Sequence, residues 1–300
     1  MEKILIIGPA SQILGFKIAQ ELGIYAINTE TKKFPDGENY LRINLEDETI
    51  IADKEVIIIQ STGPSSSGDQ NSRLMELFMI IDSIKRMGAA KIVVVIPYLA
   101  YARQDKVFRP GESQFANVVF GILNSFGLNE LYTVDIHAPK ILDECSYKAV
   151  NIDSMKLIAD YIKSKGAKNI VVVSPDKGAI DRSKAFSNHF GENIPVVIFD
   201  KERDVKTGEI EMSGTLNLKG KDVVISDDII ATGGTMATAV KIARESGADK
   251  IFAVATHALL LDQAKFRILK AGAYEIIGTD SIDNEVCQVS LAKIIADYLK

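Results

Sequence analysis

The 300-residue sequence predicts an α/β fold of two similar lobes, each a mostly parallel sheet flanked by helices. Three observations carry that prediction. Short Val- and Ile-rich runs without polar alternation recur along the chain, as strands buried on both faces do. Helix-period stretches lie between them, and this alternation is the α/β signature. Part of the first half is echoed in the second: Lys91-Ile-Val-Val-Val-Ile-Pro97 resembles Asn169-Ile-Val-Val-Val-Ser-Pro175. The echo reads as a pair of domains, residues 1–150 and 151–300, the alternative being chance similarity between two buried strands.

The expected strands are residues 4–7, 56–59, 92–96, 131–134, 170–173, 196–199, 223–225, 251–255 and 274–277. In the helical stretch 74–87, Leu74, Leu77, Phe78, Ile81 and Ile84 share one face. Residues 112–126, 153–165, 234–246 and 288–299 behave similarly. A Gly-Ala turn phrase appears at Gly88, Gly166 and Gly247, each time closing a helix before a strand. Glycine suits that place because the helix ends in a left-handed conformation. Three stretches read as polar loops: 63–70, 99–113 and 201–209. Loops at strand ends are where α/β proteins carry their chemistry.

Composition narrows the function classes. Hydrophobic residues make up 47% and charged residues 25%, enough apolar surface to build cores and to exclude general disorder. A net charge of −5 argues against a broad nucleic-acid or acidic-membrane surface, while leaving room for a local basic anion site. Cys145 and Cys287 are far apart and in no metal-ligand spacing, so a reducing cytoplasm is expected. The apolar run after Met1 is too short for a signal peptide, and no run approaches the roughly 18 residues of a membrane span. The dinucleotide glycine fingerprint is absent. Asp222 after Gly220-Lys221 breaks the phosphate-loop pattern.

The strongest local signal is Val223-Val-Ile-Ser-Asp227-Asp228-Ile-Ile-Ala-Thr232-Gly233-Gly234-Thr235. An apolar strand runs into two adjacent carboxylates, and a Thr-Gly-Gly-Thr turn then opens a helix. Helix-start amides and two hydroxyls can cradle a phosphate. The carboxylates suit a polyol, or a magnesium ion through water. Together they describe a sugar-phosphate pocket. Elsewhere, Arg103 has a planar fork able to hold phosphate oxygens. Asp176 is a carboxylate at a strand end, a natural hard-cation ligand. Lys201 and Arg203 lie two apart, on one side of an extended segment.

The strand–turn–helix motif resembles the phosphoribosyl-pyrophosphate loop of the type I phosphoribosyltransferase fold. From about residue 34 to 235 the chain resembles the ribose-phosphate pyrophosphokinases. The resemblance rests on Phe34-Pro-Asp36-Gly-Glu38, Gln60-Ser-Thr before Leu74-Met-Glu-Leu, and Pro97-Tyr-Leu-Ala-Tyr-Ala-Arg103-Gln104-Asp105. It continues through Asp135-Ile-His137-Ala, Ser174-Pro-Asp176-Lys-Gly and Lys201-Glu-Arg203. It implies a tandem phosphoribosyltransferase-like fold. It also implies transfer of pyrophosphate from ATP to the C1 hydroxyl of ribose 5-phosphate, as a step in nucleotide biosynthesis.

By the same resemblance, Phe34, Asp36, Glu38, Arg103, Gln104 and His137 bind ATP. His137 and Asp176 hold Mg2+, and Lys201 and Arg203 are catalytic. Asp227, Asp228, Thr232, Gly233, Gly234 and Thr235 bind ribose 5-phosphate. A homo-oligomer is implied, with the ATP site near a subunit interface. Three departures stand out: Ala231 before the Thr-Gly-Gly-Thr turn, Ala179 at a common glycine, and Asp69-Gln70-Asn71-Ser72-Arg73. Two rival readings are a phosphoribosyltransferase and a non-catalytic regulatory homologue. The first leaves Arg103, His137 and Lys201 unexplained, and the second expects the metal or loop residues to be lost.

Overall fold

A computed structural model gives the architecture of the chain. It describes residues 1–65, 68–203, 210–213 and 217–300, without the side chains of 177, 200–203 and 210–213. The chain forms two compact units. One comprises Met1–Asp153, Asp280–Asn284 and Ser290–Lys300; the other comprises Ser154–Thr279 and Glu285–Val289.

Unit 1 contains β1 (Lys3–Ile7), α1 (Gln12–Leu22), β2 (Tyr25–Lys33), β3 (Asn39–Ile43), β4 (Glu55–Ile59) and α2 (Gln70–Arg86). It continues with β5 (Lys91–Ile96), α3 (Phe115–Phe126), β6 (Glu130–Val134) and β7 (Lys148–Ile152). The sheet order is β3-β2-β1-β4-β5-β6-β7. Only the β2–β3 pairing is antiparallel. The sequence reading lacks β2, β3 and β7. They lie toward the sheet edges and are only part buried, so they have no continuous apolar run.

Unit 2 contains α4 (Met155–Ser164), β8 (Val171–Ser174), α5 (Ile180–Ser187), β9 (Val196–Ile198), and a ribbon of β10 (Asp200–Arg203) and β11 (Ile210–Ser213). It then has β12 (Val223–Ile230), α6 (Gly234–Glu245), β13 (Ile251–Ala258), α7 (Ala264–Ala271), β14 (Glu275–Thr279) and β15 (Cys287–Val289). Its main sheet runs β15-β14-β13-β12-β8-β9, all parallel. Both faces are apolar. Val171, Val173, Val223 and Ile225 pack with residues of α6, while Val172, Val224 and Phe252 pack with Ile158, Ile162 and Phe186. Adjacent residues on a strand face opposite ways, so a fully buried strand needs no polar alternation.

The two sheets share one winding. The chain lays down a first strand, adds a neighbour on one side, then crosses to the other side. Thus β8 corresponds to β1, and β12 to β4. Each sheet has a switch point, at β1/β4 and at β8/β12, and ligand crevices open there. The echoed segments fall on β5 and β8, which are not equivalent strands, so that echo reflects similar burial of two strands. The lobes are nevertheless similar, as expected.

The Gly-Ala turns all place glycine at positive φ. In unit 2, one buried carboxylate braces two of them: Asp222 accepts from Lys168 N at 2.7 Å and Lys250 N at 3.2 Å. The last helix, α8 (Ala292–Leu299), belongs to unit 1, so the chain is not halved at a single point. Asp280 anchors its start, accepting from Leu291 N and Ser290 Oγ, each at 2.7 Å, and from Lys17 Nζ at 3.0 Å. The same tail segment lies against the loop after β4. Ser61 Oγ donates to the Ser281 carbonyl at 2.6 Å, and a Cβ on Gly63 would sit 2.1 Å from Ile282 Cδ1. Beside it is a cavity of about 190 Å3 lined by residues including Pro9, Gln12, Ser61, Ser65 and Asp283.

Parallel strands bring their starts to one sheet edge. In unit 1 the first residues of β1, β4, β5, β6 and β7 are Lys3, Glu55, Lys91, Glu130 and Lys148. Neighbours in this alternating row pair at 3.6, 3.5, 2.6 and 2.9 Å. Burial alone would raise the Glu130 carboxyl. Hydrogen bonds from Lys91, Tyr132 and Lys148 outweigh it and hold the group down at about 2. Because the folded value is depressed, the contribution is complete above the ordinary value of 4.5 and is lost as pH falls toward 2. Glu130→Gln should cost about 1–2 kcal/mol at neutral pH. In urea titrations, the gap from wild type should close on acidification to about pH 2.

Candidate functional site

In unit 2 Asp176 and the sequence-predicted residues within 227–235 follow or end β8 and β12, while Lys201 and Arg203 lie apart on β10. The sequence reading ends β12 at Ile225, but the strand runs on to Ile230 because it keeps pairing with β13 as far as Ile230↔Ala258. The acid pair therefore sits on the strand itself. Its members are unequal: the Asp227 side chain is 25% exposed and that of Asp228 is 6% exposed. Asp227 Oδ1 accepts from Asp228 N at 2.9 Å, and Asp228 Oδ1 accepts from Ile229 N at 3.0 Å. Arg182 on α5 reaches both, with Nη1 2.9 Å from Asp228 Oδ1 and 3.6 Å from Asp227 Oδ1. Burial raises the Asp227 carboxyl well above its usual range. The hydrogen bond and negative charge of Asp228 add to the rise, and Arg182 opposes it.

Beyond the pair, Thr232, Gly233, Gly234 and Thr235 form the turn into α6. Gly233 has φ +71°, and a Cβ there would lie 3.0 Å from Ala264 Cβ and 3.1 Å from Ile268 Cδ1. Only glycine satisfies both constraints. The Arg267 guanidinium donates to the Thr232 carbonyl, and at 3.2 Å to that of Asp262. No side chain of Gly233 caps α6, so the helix start keeps its electropositive character toward the turn. The Ala231 carbonyl accepts from Leu261 N at 2.9 Å, so this position is tied by its backbone.

After β8, Asp176 Oδ1 accepts from Gly178 N at 3.0 Å and Ala179 N at 3.1 Å. Ala179 contributes its amide to this turn, as a glycine would. Lys201 and Arg203 lie on β10, opposite Met212 and Ile210 of β11. Their side chains, and residues 204–209 of the same loop, lie outside the described residues.

In unit 1, Phe34, Asp36 and Glu38 form the β2–β3 turn, closed by Phe34 N to the Glu38 carbonyl at 2.8 Å and Glu38 N to Asp36 Oδ1 at 3.1 Å. The exposed Phe34 ring meets Tyr40 edge-on at 6.1 Å, with Lys32 Nζ over both rings. Arg103 and Gln104 are exposed in the loop after β5 and, among the described residues, Arg103 makes no ion pair with Asp105. Both segments rest on the first turn of α2. Asn39 Nδ2 donates to the Ser72 carbonyl at 3.2 Å, and the Tyr101 hydroxyl donates to Asn71. His137 follows β6, where Asp135 takes φ +39° and Ile136 N donates to Asn151 Oδ1 at 2.9 Å.

Arg182 and Arg267 are the residues that sequence reasoning missed. Each reaches its target from a separate helix, so no local pattern marks it. The unpaired look of Asp227-Asp228 in sequence was the available signal that a cation had to come from elsewhere.

Residues 3–127 match the family model for the N-terminal domain of ribose phosphate pyrophosphokinase, and residues 146–291 match the phosphoribosyl transferase domain. The ribose-phosphate pyrophosphokinase of Methanobrevibacter smithii is 39% identical over 98% of both chains. That of Pyrococcus abyssi is 38% identical over 100% of this chain and 98% of its own. The crystal structure of phosphoribosylpyrophosphate synthetase from Mycobacterium smegmatis is similar with a TM-score of 0.87 and 29% identity. That similarity covers 100% of this chain and 98% of the other.

Gly233→Ala tests the turn. The strained φ and the contact with Ala264 should together lower stability by about 1–3 kcal/mol. Denaturant titration would measure this, and an unchanged midpoint would contradict the tight approach.

Proposed function

This chain belongs to the ribose-phosphate pyrophosphokinase family, and from that premise we propose that it makes 5-phosphoribosyl 1-pyrophosphate and AMP from ATP and ribose 5-phosphate. The observation that carries this reading is the strand–turn–helix of unit 2. It sets an acid pair, one member buried and one part exposed, just before a helix whose N-cap is a glycine, in a chain similar to the family along its whole length. An acid pair accepts hydrogen bonds from sugar hydroxyls, and a helix start accepts a phosphate.

In this reading Asp227 and Asp228 receive the ribose hydroxyls, and the backbone and hydroxyls of residues 232–235 receive the 5-phosphate. Phe34 supplies a stacking face for adenine, and Asp36 and Glu38 supply acceptors. Arg103 and Gln104 bind the triphosphate. The C1 hydroxyl attacks the β-phosphorus and AMP leaves. Lys201 and Arg203 stabilise the charge on the group in transit, so catalysis is positioning and electrostatics more than covalent chemistry.

Asp176 is suited to a hard cation. Two amides pin Oδ1, which orients the carboxylate and leaves Oδ2 for coordination. No group of three or more His, Cys, Asp or Glu ligands occurs among the described residues. That suits Mg2+, which takes few protein ligands and fills its shell with water and phosphate oxygens. His137 and Asp176 would each hold Mg2+, which would neutralise phosphate charge on the anionic substrates. The reading also includes a homo-oligomer with the ATP site near a subunit interface, and a cytoplasmic location. No described helix is long and apolar enough to cross a membrane.

Purified protein with ATP, Mg2+ and ribose 5-phosphate should yield AMP together with the sugar pyrophosphate. ADP as product, or no turnover, would refute the proposal. Asp227→Ala should raise the KM for ribose 5-phosphate about 10–100-fold, the worth of one to two charge-assisted hydrogen bonds. Lys201→Ala should lower kcat by about 10³-fold or more.

A further inference from the structure

Two carboxylates on consecutive residues of a buried strand repel each other, and neither can turn fully to water. Arg182 answers this, but unevenly. Its guanidinium makes a hydrogen-bond-length contact with the more buried Asp228, at 2.9 Å, and stands off the more exposed Asp227 at 3.6 Å. Asp228 also accepts the Ile229 amide. The buried acid is thus held through Oδ1 by both Arg182 and the backbone, while the more exposed acid has only its charge offset by the same cation. Arg182 itself comes from α5, the helix that follows the Asp176 turn. Its bond to β12 therefore ties together the two chain segments that border the switch point.

We propose that Arg182 is a positioning residue for the sugar site: it holds Asp228 so that Asp227 is presented to the hydroxyls of ribose 5-phosphate. The assignment rests on the reading of this crevice as the ribose 5-phosphate site. It makes Asp227 the more open of the two sugar-binding acids and Asp228 the one that the protein itself holds through Oδ1.

A merely structural salt bridge would make a different prediction. Losing it would lower stability and affect both substrates alike. Losing a positioning contact should act on the sugar alone. Ribose 5-phosphate binding should be measured by calorimetry, and KM and kcat for both substrates by steady-state assay, in wild type, Arg182→Ala, Arg182→Lys, Asp228→Asn and the double variant Arg182→Ala/Asp228→Asn.

Arg182→Ala should raise the ribose 5-phosphate Kd and KM about 10–100-fold, with the ATP KM moving less than about threefold. Arg182→Lys should recover part of the loss, since it keeps the charge but not the planar fork. The double variant should be no worse than the poorer single variant, because both changes remove one coupling. Equal rises for both substrates, unchanged sugar affinity, or additive losses would each overturn the assignment. If Arg182→Ala does not fold, the folded lysine variant carries the test, and sugar affinity equal to wild type would then overturn it. A folded wild type that binds no ribose 5-phosphate would instead refute the functional reading, and the assignment with it.

Discussion

The two carboxylates of Asp227 and Asp228, side by side on one strand under a shared guanidinium, are the constraint around which unit 2 is arranged. Such a pair is costly in a buried sheet unless a cation and several amides meet it. The amides come from the strand itself, and the cation comes from α5. The strand must also reach Ile230 before the chain turns, which fixes where Gly233 and the start of α6 lie. Ala264 and Ile268 of α7 then close behind the turn so tightly that only glycine fits. Acid pair, turn and helix start are consequences of one packing problem.

Parallel strands also separate two jobs. All their C-terminal ends reach one edge of the sheet, where loops carry ligand-directed groups. All their N-terminal ends reach the other. In unit 1 that second edge is a row of alternating lysines and glutamates, in register across β1, β4 and β5 and across β6 and β7, with Glu130 opposite Val93 and reached by the Lys91 side chain. Lys3, at one end of the row, also binds the carbonyl of Leu299 at 2.5 Å. Cohesion is concentrated at the edge away from the chemistry, which leaves the loops at the opposite edge free to be polar.

What the sequence disclosed follows from how local each signal is. The central strands were legible because burial on both faces leaves unbroken Val and Ile. The acid pair and the Thr-Gly-Gly-Thr turn were legible because all their parts are contiguous. Strands β2, β3 and β7 were not, since residues such as those of Tyr25–Lys33 owe their conformation to a neighbour more than to composition. Residues 288 and 289 read as the start of a helix but belong to β15, which pairs with β14, so α8 begins only at Ala292. Arg182 and Arg267 were invisible for a related reason: their partners lie 46 and 35 positions away in the chain.

Two like-wound sheets imply two like crevices, but the chain treats them differently. In unit 2 the opening at β8/β12 displays its carboxylates. In unit 1 the corresponding corner at β1/β4 receives the protein's own tail, with Ser281 bonded to Ser61 and Ile282 seated over Gly63. Gly63 is bare because Ile282 needs the room. One corner of a doubled scaffold thus carries an acid pair, and the corresponding corner, beside its cavity, serves as the clasp for the segment that leads into the last helix.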